Sequence, residues 1–278
     1  MHICLNRATA GGALPYDEFV KLAADAGFEG ADVEPGWARM HSLAALRDLF
    51  ASRNLRFGGW GVPFDWRGED ESKRREGMKD LAQFAGYARE LGIDACATWI
   101  MPSSDRPLLE NWNFHVERLG PVARVLANHG LRLGLEFVAP YHLRRHFRHE
   151  FIFTPGQMLE LAADVGENAG LLVDSFHVHA AGSTWEEISK IPAPKIVLVH
   201  INDAPDVRLH QLVDSQRLLP GEGTLSLRSF LGSLRTAGYN GAVSLEVFSD
   251  ALKRLDPREA ARRAWTATHT ALKGTEIA

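Results

Sequence analysis

The chain of 278 residues, 45% hydrophobic and 24% charged, has the size and composition of one globular α/β domain with a sizeable core. Its net charge of -4 gives no basic bias, so we expect neither nucleic acid nor a membrane as a partner. No apolar run approaches the roughly 20 residues that span a bilayer, and a strand-like segment beginning at His2 leaves no room for a signal peptide. Cys4 and Cys96 are expected to be buried and reduced, which favours a cytoplasmic protein.

Strand-like and helix-like segments alternate eight times along the chain. The strand candidates are short and apolar on both faces, as in a sheet that is covered on both sides. They are His2–Asn6, Gly30–Glu34, Leu55–Trp60, Ala95–Trp99, Leu131–Glu136, Gly170–Asp174, Ile196–Ile201 and Ala242–Glu246. The helical patterns between them are Tyr16–Ala26, Ser42–Ser52, Glu71–Leu91, Trp112–His129, Pro155–Val165, Thr184–Ser189, Ser226–Ala237 and Pro257–Leu272.

This regular alternation predicts a parallel sheet. Glycine stands where several predicted helices stop, as at Gly27, Gly92 and Gly130. Eight strand–helix units in a chain of this length fit a closed (β/α)8 TIM barrel. The chain contains no linker and no low-complexity tract, so we predict a single domain over residues 1–278.

A side chain that can bind a metal ends each of the last four predicted strands: Glu136, Asp174, His200 and Glu246. The carboxyl ends of neighbouring barrel strands meet on one rim, where active sites of such barrels are built. A lone strand-end carboxylate is commonly a helix cap or an ion-pair partner, but that explanation does not account for four metal-binding side chains at the ends of four successive strands. Three carboxylates and one imidazole suit Mn²⁺, Zn²⁺, Co²⁺ or Fe²⁺. The pattern therefore predicts one divalent metal ion and an enzyme.

Such a site predicts proton transfer next to a carbonyl group. A cation on a ketone oxygen and its neighbouring hydroxyl would acidify the α-C–H by stabilising the enediolate, and a carboxylate within reach can take the proton. Glu136 and Glu246 are the candidate catalytic residues. Carboxylates on both faces of the substrate would give epimerisation, whereas one carboxylate that moves a proton between neighbouring positions would give isomerisation.

Several strings resemble the xylose-isomerase-like superfamily of sugar isomerases and epimerases, and within it most closely the inosose isomerases of inositol catabolism. LLVDSFHVHAAG (171–182) resembles the sixth-strand segment of that group, and LEFV (135–138) and VSLEVF (243–248) match its fifth and eighth strands. CLNRAT (4–9) looks like its first strand. QRLLPGEG (216–223) resembles a loop shared with the ketose 3-epimerases.

The resemblance implies roles for particular residues. The metal ligands would be Glu136, Asp174, His200 and Glu246, with the two glutamates also acting as the acid–base pair. His177 and Arg217 would hold substrate oxygens, and an arginine suits that role because it can clamp hydroxyls or an oxyanion. The resemblance also implies a small-molecule polyol or ketose substrate and a homodimer or homotetramer.

Further contacts are expected around this site. Trp60 and Trp99 stand at the ends of the third and fourth predicted strands, where they would form aromatic walls for a sugar or cyclitol or simply pack the rim. Asn6 and Glu34, at the ends of the first and second predicted strands, are further candidates for polar contacts with the substrate. The His- and Arg-rich loop over residues 142–149 is either a solvated loop, a lid for an acidic substrate, or a subunit contact.

Alternative functions remain open at this stage. A dehydratase or lyase acting on a keto-cyclitol or a dehydroshikimate-like substrate would need no change in metal ligands. FVAPYH (137–142) lacks the glutamate that ketose 3-epimerases carry there, which favours a keto-inositol over a ketohexose. A DNA-repair enzyme similar to the apurinic endonucleases is disfavoured, because GGWG (58–61) and ATWI (97–100) lack its extra histidines. A non-catalytic binding protein is a further option.

Overall fold

Eight parallel strands close into a barrel in the computed structural model, which describes residues 1–274. The strands are β1 (His2–Leu5), β2 (Gly30–Val33), β3 (Arg56–Gly61), β4 (Ala95–Ile100), β5 (Arg132–Phe137), β6 (Ala169–Asp174), β7 (Ile196–Ile201) and β8 (Ala242–Leu245). Each strand pairs with the next along the chain, and β8 pairs with β1 from His2↔Ala242 to Leu5↔Leu245. The predicted (β/α)8 barrel is confirmed.

Helices connect the strands and surround the barrel. They are Tyr16–Ala26, Pro35–His41, Leu43–Ala51, Glu71–Leu91, Leu108–Asn128, Tyr141–Arg144, Pro155–Val165, Ser175–Ala180, Trp185–Ser189, Leu227–Thr236, Asp250–Lys253 and Pro257–Leu272, with 3-10 turns at Ala193–Lys195 and Leu209–Gln211. Among the described residues, none of these helices is long and apolar enough to cross a membrane.

The predicted boundaries were wrong by a few residues in places. The strands β1, β2 and β8 end one residue earlier than predicted, so that Asn6, Glu34 and Glu246 lie just beyond them. The fifth helix begins at Leu108, four residues before the predicted Trp112. Four helices were not predicted: Pro35–His41, Tyr141–Arg144, Ser175–Ala180 and Asp250–Lys253. All four are short, so none contains enough turns for a helical period to stand out.

Local sequence fixes the ends of the elements that hold the site. Asp174 ends β6 and also caps the helix Ser175–Ala180, because its Oδ1 accepts hydrogen bonds from the backbone N–H groups of Phe176 and His177 at 2.7 and 3.3 Å. Thr154 and Gln157 form a capping box at the start of Pro155–Val165. At Asp174 the chain therefore passes directly from a strand into a helix, immediately after a candidate ligand.

Apolar side chains form the floor beneath the carboxyl ends of the strands. Leu172 stands two residues before Asp174, and Leu198 stands two residues before His200, so strand alternation places each pair on the same face. Leu172, Leu198 and Ala97 belong to one buried cluster and also line the cavity at the barrel mouth. This floor separates the polar site from the rest of the barrel.

Candidate metal centre

The four side chains predicted at successive strand ends meet in one cluster. Glu136, Asp174, His200 and Glu246 each offer a ligand atom, and these atoms lie within 4.8 Å of one another. Glu136 and His200 are 7% and 6% exposed, and Asp174 is fully buried. Glu246 follows β8 directly, and its backbone N–H donates to the carbonyl of Ile201 at 3.2 Å, which extends the sheet by one residue.

The imidazole of His200 faces the three carboxylates without bonding to any of them. Its Nδ1 lies 3.1 Å from Oε2 of Glu246, 3.7 Å from Oε1 of Glu136 and 3.8 Å from Oδ2 of Asp174. Among the described residues, Nδ1 of His200 and Oε1 of Glu136 are buried with no hydrogen-bond partner. Such a group costs about 1–3 kcal/mol when it stays unsatisfied. A divalent cation among these atoms would satisfy them, so the residues fit a metal ion.

Arg217 and His177 lie beside the cluster, almost fully buried at 2% and 1% exposure. Nη1 of Arg217 donates to Oδ2 of Asp174 at 2.8 Å and to Oε2 of Glu246 at 2.9 Å. Its Nη2 donates to Nε2 of His177 at 3.0 Å and to Oδ1 of Asp214 at 2.7 Å. The structure thus brings both residues to the site, where Arg217 hydrogen-bonds to the carboxylates and to His177. Their predicted contact with substrate oxygens stays a prediction.

Burial and the neighbouring charges shift the pKa values in this cluster. Burial raises the pKa of Glu136, and the charge of Glu246 adds to the effect. Burial opposes ionisation of Glu246 too, but the positive charges of His200 and Arg217 outweigh it and lower its pKa. Burial works against protonation of His200, but Glu246 and Glu136 outweigh it and raise its pKa well above the usual value. Positive charge therefore stabilises the ionised carboxylates of the cluster, and a divalent ion would supply it.

His177 is held in its neutral form. Burial lowers the pKa of this histidine to about 3, and the adjacent Arg217 acts in the same direction. A neutral imidazole can accept a hydrogen bond at Nε2, which agrees with the donor that Arg217 places there. His177 can therefore carry polar contacts in the site without adding a charge.

A cavity of about 660 Å³ opens above the cluster, a size typical of small-molecule sites. Glu136, His200 and Glu246 line it together with the predicted Asn6, Trp60 and Trp99. Trp60 is almost buried and packs edge-on against Phe84, whereas Trp99 is 48% exposed. The guanidinium of Arg67 lies 4.1 Å from the centroid of the Trp99 ring. The two tryptophans thus form part of the wall, and their contact with a substrate stays a prediction.

Asp32, which was not predicted from the sequence, lies on β2 and lines the same cavity. Glu34, the polar residue predicted at the end of this strand, forms an ion pair with Arg7 at the rim. The predicted Asn6 donates from Nδ2 to Oδ2 of Asp32 at 2.8 Å. A carboxylate within an apolar barrel strand is rare, and that signal could have identified Asp32.

The His- and Arg-rich loop is tied to the loop after β4. Ser103–Ser104 and His149–Glu150 form a two-stranded antiparallel ribbon. Arg144 pairs with Glu150 at 2.8 Å, and its guanidinium lies 3.5 Å from the centroid of the Phe153 ring. The predicted role of this loop as a lid or subunit contact stays a prediction.

Eight parallel strands with three carboxylates and a histidine clustered at their carboxyl ends define a TIM barrel with a candidate metal site. A family model described as xylose isomerase-like TIM barrel matches residues 20–268, so the chain belongs to this family and the predicted resemblance is confirmed.

Among curated relatives, the inosose isomerase of Bacillus velezensis is 26% identical over 271 residues, which are 95% of this chain and 94% of the relative. The 3-dehydroshikimate dehydratase of Pseudomonas putida is 26% identical over 264 residues, which are 93% of this chain but 40% of the relative. Both relatives align with nearly the whole of this chain.

Solved structures show the same architecture. A xylose isomerase domain protein from Alicyclobacillus acidocaldarius superposes with a TM-score of 0.87, at 29% identity and 98% coverage of both chains. The IolI protein, solved with a bound zinc atom, superposes with a TM-score of 0.78, at 24% identity and 99% coverage of both chains.

Proposed function

We propose that this protein is a divalent-metal-dependent isomerase or epimerase of a polyhydroxy ketone, with a keto-inositol as the first candidate substrate. The observation that carries the proposal is the cluster of Glu136, Asp174, His200 and Glu246 beneath a cavity of about 660 Å³. The inosose isomerase relatives, which align over 95% of this chain, support the choice of substrate.

In this proposal, the four cluster residues hold the ion, and Mn²⁺, Zn²⁺ and Co²⁺ all suit their ligand set. The ion would supply Lewis-acid polarisation of a substrate oxygen. Zinc in the IolI structure supports a divalent ion in a barrel of this shape.

The two glutamates would carry the proton. Oε1 of Glu136 and Oε2 of Glu246 face His200. No described residue donates a hydrogen bond to the other oxygen of either carboxylate, so Oε2 of Glu136 and Oε1 of Glu246 are free to take or return a proton at a substrate carbon. Arg217 would hold Glu246 in place through its Nη1 donor. Glu136 belongs to β5 and Glu246 follows β8, so two strands separate them and a substrate between them would meet one carboxylate on each side.

A dehydratase is the second candidate, and one observation favours it. The 3-dehydroshikimate dehydratases of two Pseudomonas species are 26% and 28% identical to this chain and cover 93% of it. The same proton abstraction, with a leaving group one carbon further on, would expel water instead of returning the proton. The remote DNA-repair alternative gains no support, because the described residues contain one group of metal-ligating side chains rather than a three-metal cluster.

Proton NMR in D₂O tests the proposal. The Mn²⁺-loaded protein is incubated with keto-inositols, ketohexoses or 3-dehydroshikimate, and the metal is chelated before the spectra are recorded. We expect deuterium to enter a C–H next to the carbonyl, and to do so far more slowly with Glu136→Gln and Glu246→Gln. The matched control is Glu222→Gln, a surface glutamate that pairs with Arg263. Formation of an alkene or enone would identify a dehydratase, and no reaction with metal bound would contradict both candidates.

A further inference from the structure

We propose that Asp32 is a substrate-binding residue that accepts a hydrogen bond from a hydroxyl group, and that it makes the cavity selective for uncharged polyhydroxy substrates. The inference rests on the proposed function for its substrate class. In the barrel, β2 and β6 are separated by three strands on either side, so Asp32 lies across the cavity from Asp174. It would therefore contact a substrate from the wall opposite Asp174.

The fold makes room for a carboxylate at this position. Asp32 is only partly buried, and it lines the same cavity as Glu136, His200 and Glu246. A Cβ atom at Gly58 on the neighbouring strand β3 would lie 2.2 Å from Oδ1 of Asp32. Any residue other than glycine at position 58 would thus displace this side chain or the strand.

Three neutral donors from three different strands or strand ends hold Asp32 in one orientation. Oδ1 accepts from the hydroxyl of Ser244 at 2.6 Å and from the backbone N–H of Gly59 at 3.2 Å. Oδ2 accepts from Nδ2 of Asn6 at 2.8 Å. The amide of Asn6 is itself oriented, because its Oδ1 accepts from the backbone N–H of Ala8 at 2.8 Å. Asp32 is thereby held by donors from β1, β3 and β8, as a fixed binding group would be.

The positive charge of His200 lowers the pKa of Asp32, but too little to offset burial. Of the other carboxylates that line the cavity, Glu136 and Glu246 belong to the metal cluster and Glu34 pairs with Arg7. No described lysine, arginine or histidine forms an ion pair with Asp32. Burial raises its pKa to about 6, so the ionised form is short of stabilising contacts. A hydroxyl donor from a substrate would add one.

Acceptor capacity remains on the side chain. A carboxylate oxygen can accept two hydrogen bonds, and within residues 1–274 Oδ2 receives one, from Asn6. A cyclitol or open-chain polyol presents several hydroxyl donors, whereas a carboxylate or phosphate group placed here would be repelled by the charge. The site should therefore bind neutral polyols more tightly than anionic substrates.

The test compares Asp32→Asn with the wild-type protein, both loaded with Mn²⁺. Titration calorimetry measures the affinity for Mn²⁺ and then for a keto-inositol, and the D₂O exchange assay gives KM and kcat. A hydrogen bond to a charged group contributes enough that we expect keto-inositol binding to weaken roughly 10- to 100-fold. The Mn²⁺ affinity should stay unchanged, and so should both affinities in the matched control Asp25→Asn, at an exposed aspartate of the helix Tyr16–Ala26.

A second variant covers the case in which Asp32→Asn does not fold. The double variant Asn6→Asp/Asp32→Asn exchanges the two side chains. The amide at position 32 then donates the hydrogen bond to the carboxylate at position 6, so the negative charge is no longer on β2. This variant should also lose keto-inositol affinity with Mn²⁺ affinity intact.

The outcomes separate this inference from the proposed reaction. If the wild type binds keto-inositol without exchanging its hydrogen, and the variants lose that binding, the role of Asp32 stands and the proposed reaction fails. Equal binding by wild type and variants would overturn the inference. Loss of Mn²⁺ affinity in the variants would also overturn it, because Asp32 would then act on the metal cluster. The inference would also be overturned if the wild type bound no keto-inositol, or if it bound 3-dehydroshikimate more tightly than keto-inositol.

Discussion

Asn202 donates from Nδ2 to both carboxylate oxygens of Asp174, at 3.1 and 3.0 Å. The same amide group also donates to the carbonyl of Glu246 at 3.1 Å, and the Asn202 oxygen accepts from the hydroxyl of Ser175 at 2.9 Å. Asn202 is fully buried. It therefore fixes the orientation of one ligand and the strand end of another.

This contact predicts that Asn202 governs metal affinity. Partners that orient metal ligands typically contribute 10- to 100-fold in affinity, so we expect Asn202→Ala to weaken Mn²⁺ binding by roughly that factor in calorimetric titration. Asn113→Ala, at an exposed position on the helix Leu108–Asn128, is the control and should bind as the wild type does. Unchanged affinity in a folded Asn202 variant would show that the other contacts suffice to orient Asp174.

Metal binding should stabilise the fold. An ion that binds only the native state at about 100 times its Kd contributes about 2.7 kcal/mol. We therefore expect the Tm to rise with Mn²⁺ or Zn²⁺ and to fall again with a chelator. His200→Asn should abolish the rise, whereas His179→Asn, at a half-buried histidine outside the cluster, should keep it. A metal-dependent rise that survives His200→Asn would place the binding elsewhere.

His115 should make stability depend on pH. Burial lowers its pKa to about 4, although its Nδ1 bonds to the carbonyl of Asn111 at 2.6 Å. The unfolded chain, with a histidine pKa of about 6.5, binds more protons than the native state between these values. Above about pH 6.5 the protonation of His115 therefore does not reduce the free energy of unfolding. As the pH falls below that value, the free energy of unfolding decreases, by about 2 kcal/mol at pH 5.

Urea unfolding at several pH values measures this effect. His115→Gln should flatten the loss between pH 7 and 5 relative to the wild type. His142→Gln, at an exposed histidine, should leave the profile unchanged. A profile of identical steepness in His115→Gln would assign the acid sensitivity to other groups.

Gly170 should tolerate no side chain. A Cβ atom there would lie 2.4 Å from the backbone carbonyl oxygen of Lys195, which a rotamer change cannot move. We expect Gly170→Ala to cost about 1–3 kcal/mol, the usual range for overpacking. Gly156→Ala is the control, because no atom lies within 4 Å of its Cβ position and alanine suits a helix better. Denaturant unfolding measures both, and equal stability of Gly170→Ala would show that β6 and Lys195 can separate.

Much of this architecture was predictable because it depends on local patterns. Apolar runs of strand length alternate with amphipathic helical periods, and Gly27 and Gly92 take positive φ angles of 103° and 73° where their helices stop, as predicted. The four candidate ligands follow from the same logic, since each stands at the carboxyl end of a parallel strand. Closure of the barrel places neighbouring strand ends side by side.

The residues that were missed act through contacts between distant parts of the chain. Asn202 follows β7 as an ordinary polar residue, and only the fold shows that its amide reaches Asp174 on β6. Asp32 was not predicted, because the predicted strand Gly30–Glu34 places Glu34 rather than Asp32 at its carboxyl end. The helix Ser175–Ala180 depends on one cap rather than on a repeating pattern.

The sequence by itself determined the order of strands and helices, the parallel barrel and the identity of the four candidate ligands, because short-range periodicity and strand-end position encode all three. Only the tertiary structure decided which groups surround those ligands: the guanidinium of Arg217 on Asp174 and Glu246, the amide of Asn202 on Asp174, and the carboxylate of Asp32 across the cavity. The physical reason is that these contacts join residues far apart in the chain through closure of the barrel: Asp174 and Arg217 are 43 positions apart, and Asp32 and its hydrogen-bond donor Ser244 are 212 positions apart. No pattern confined to one stretch of the chain specifies such a pairing.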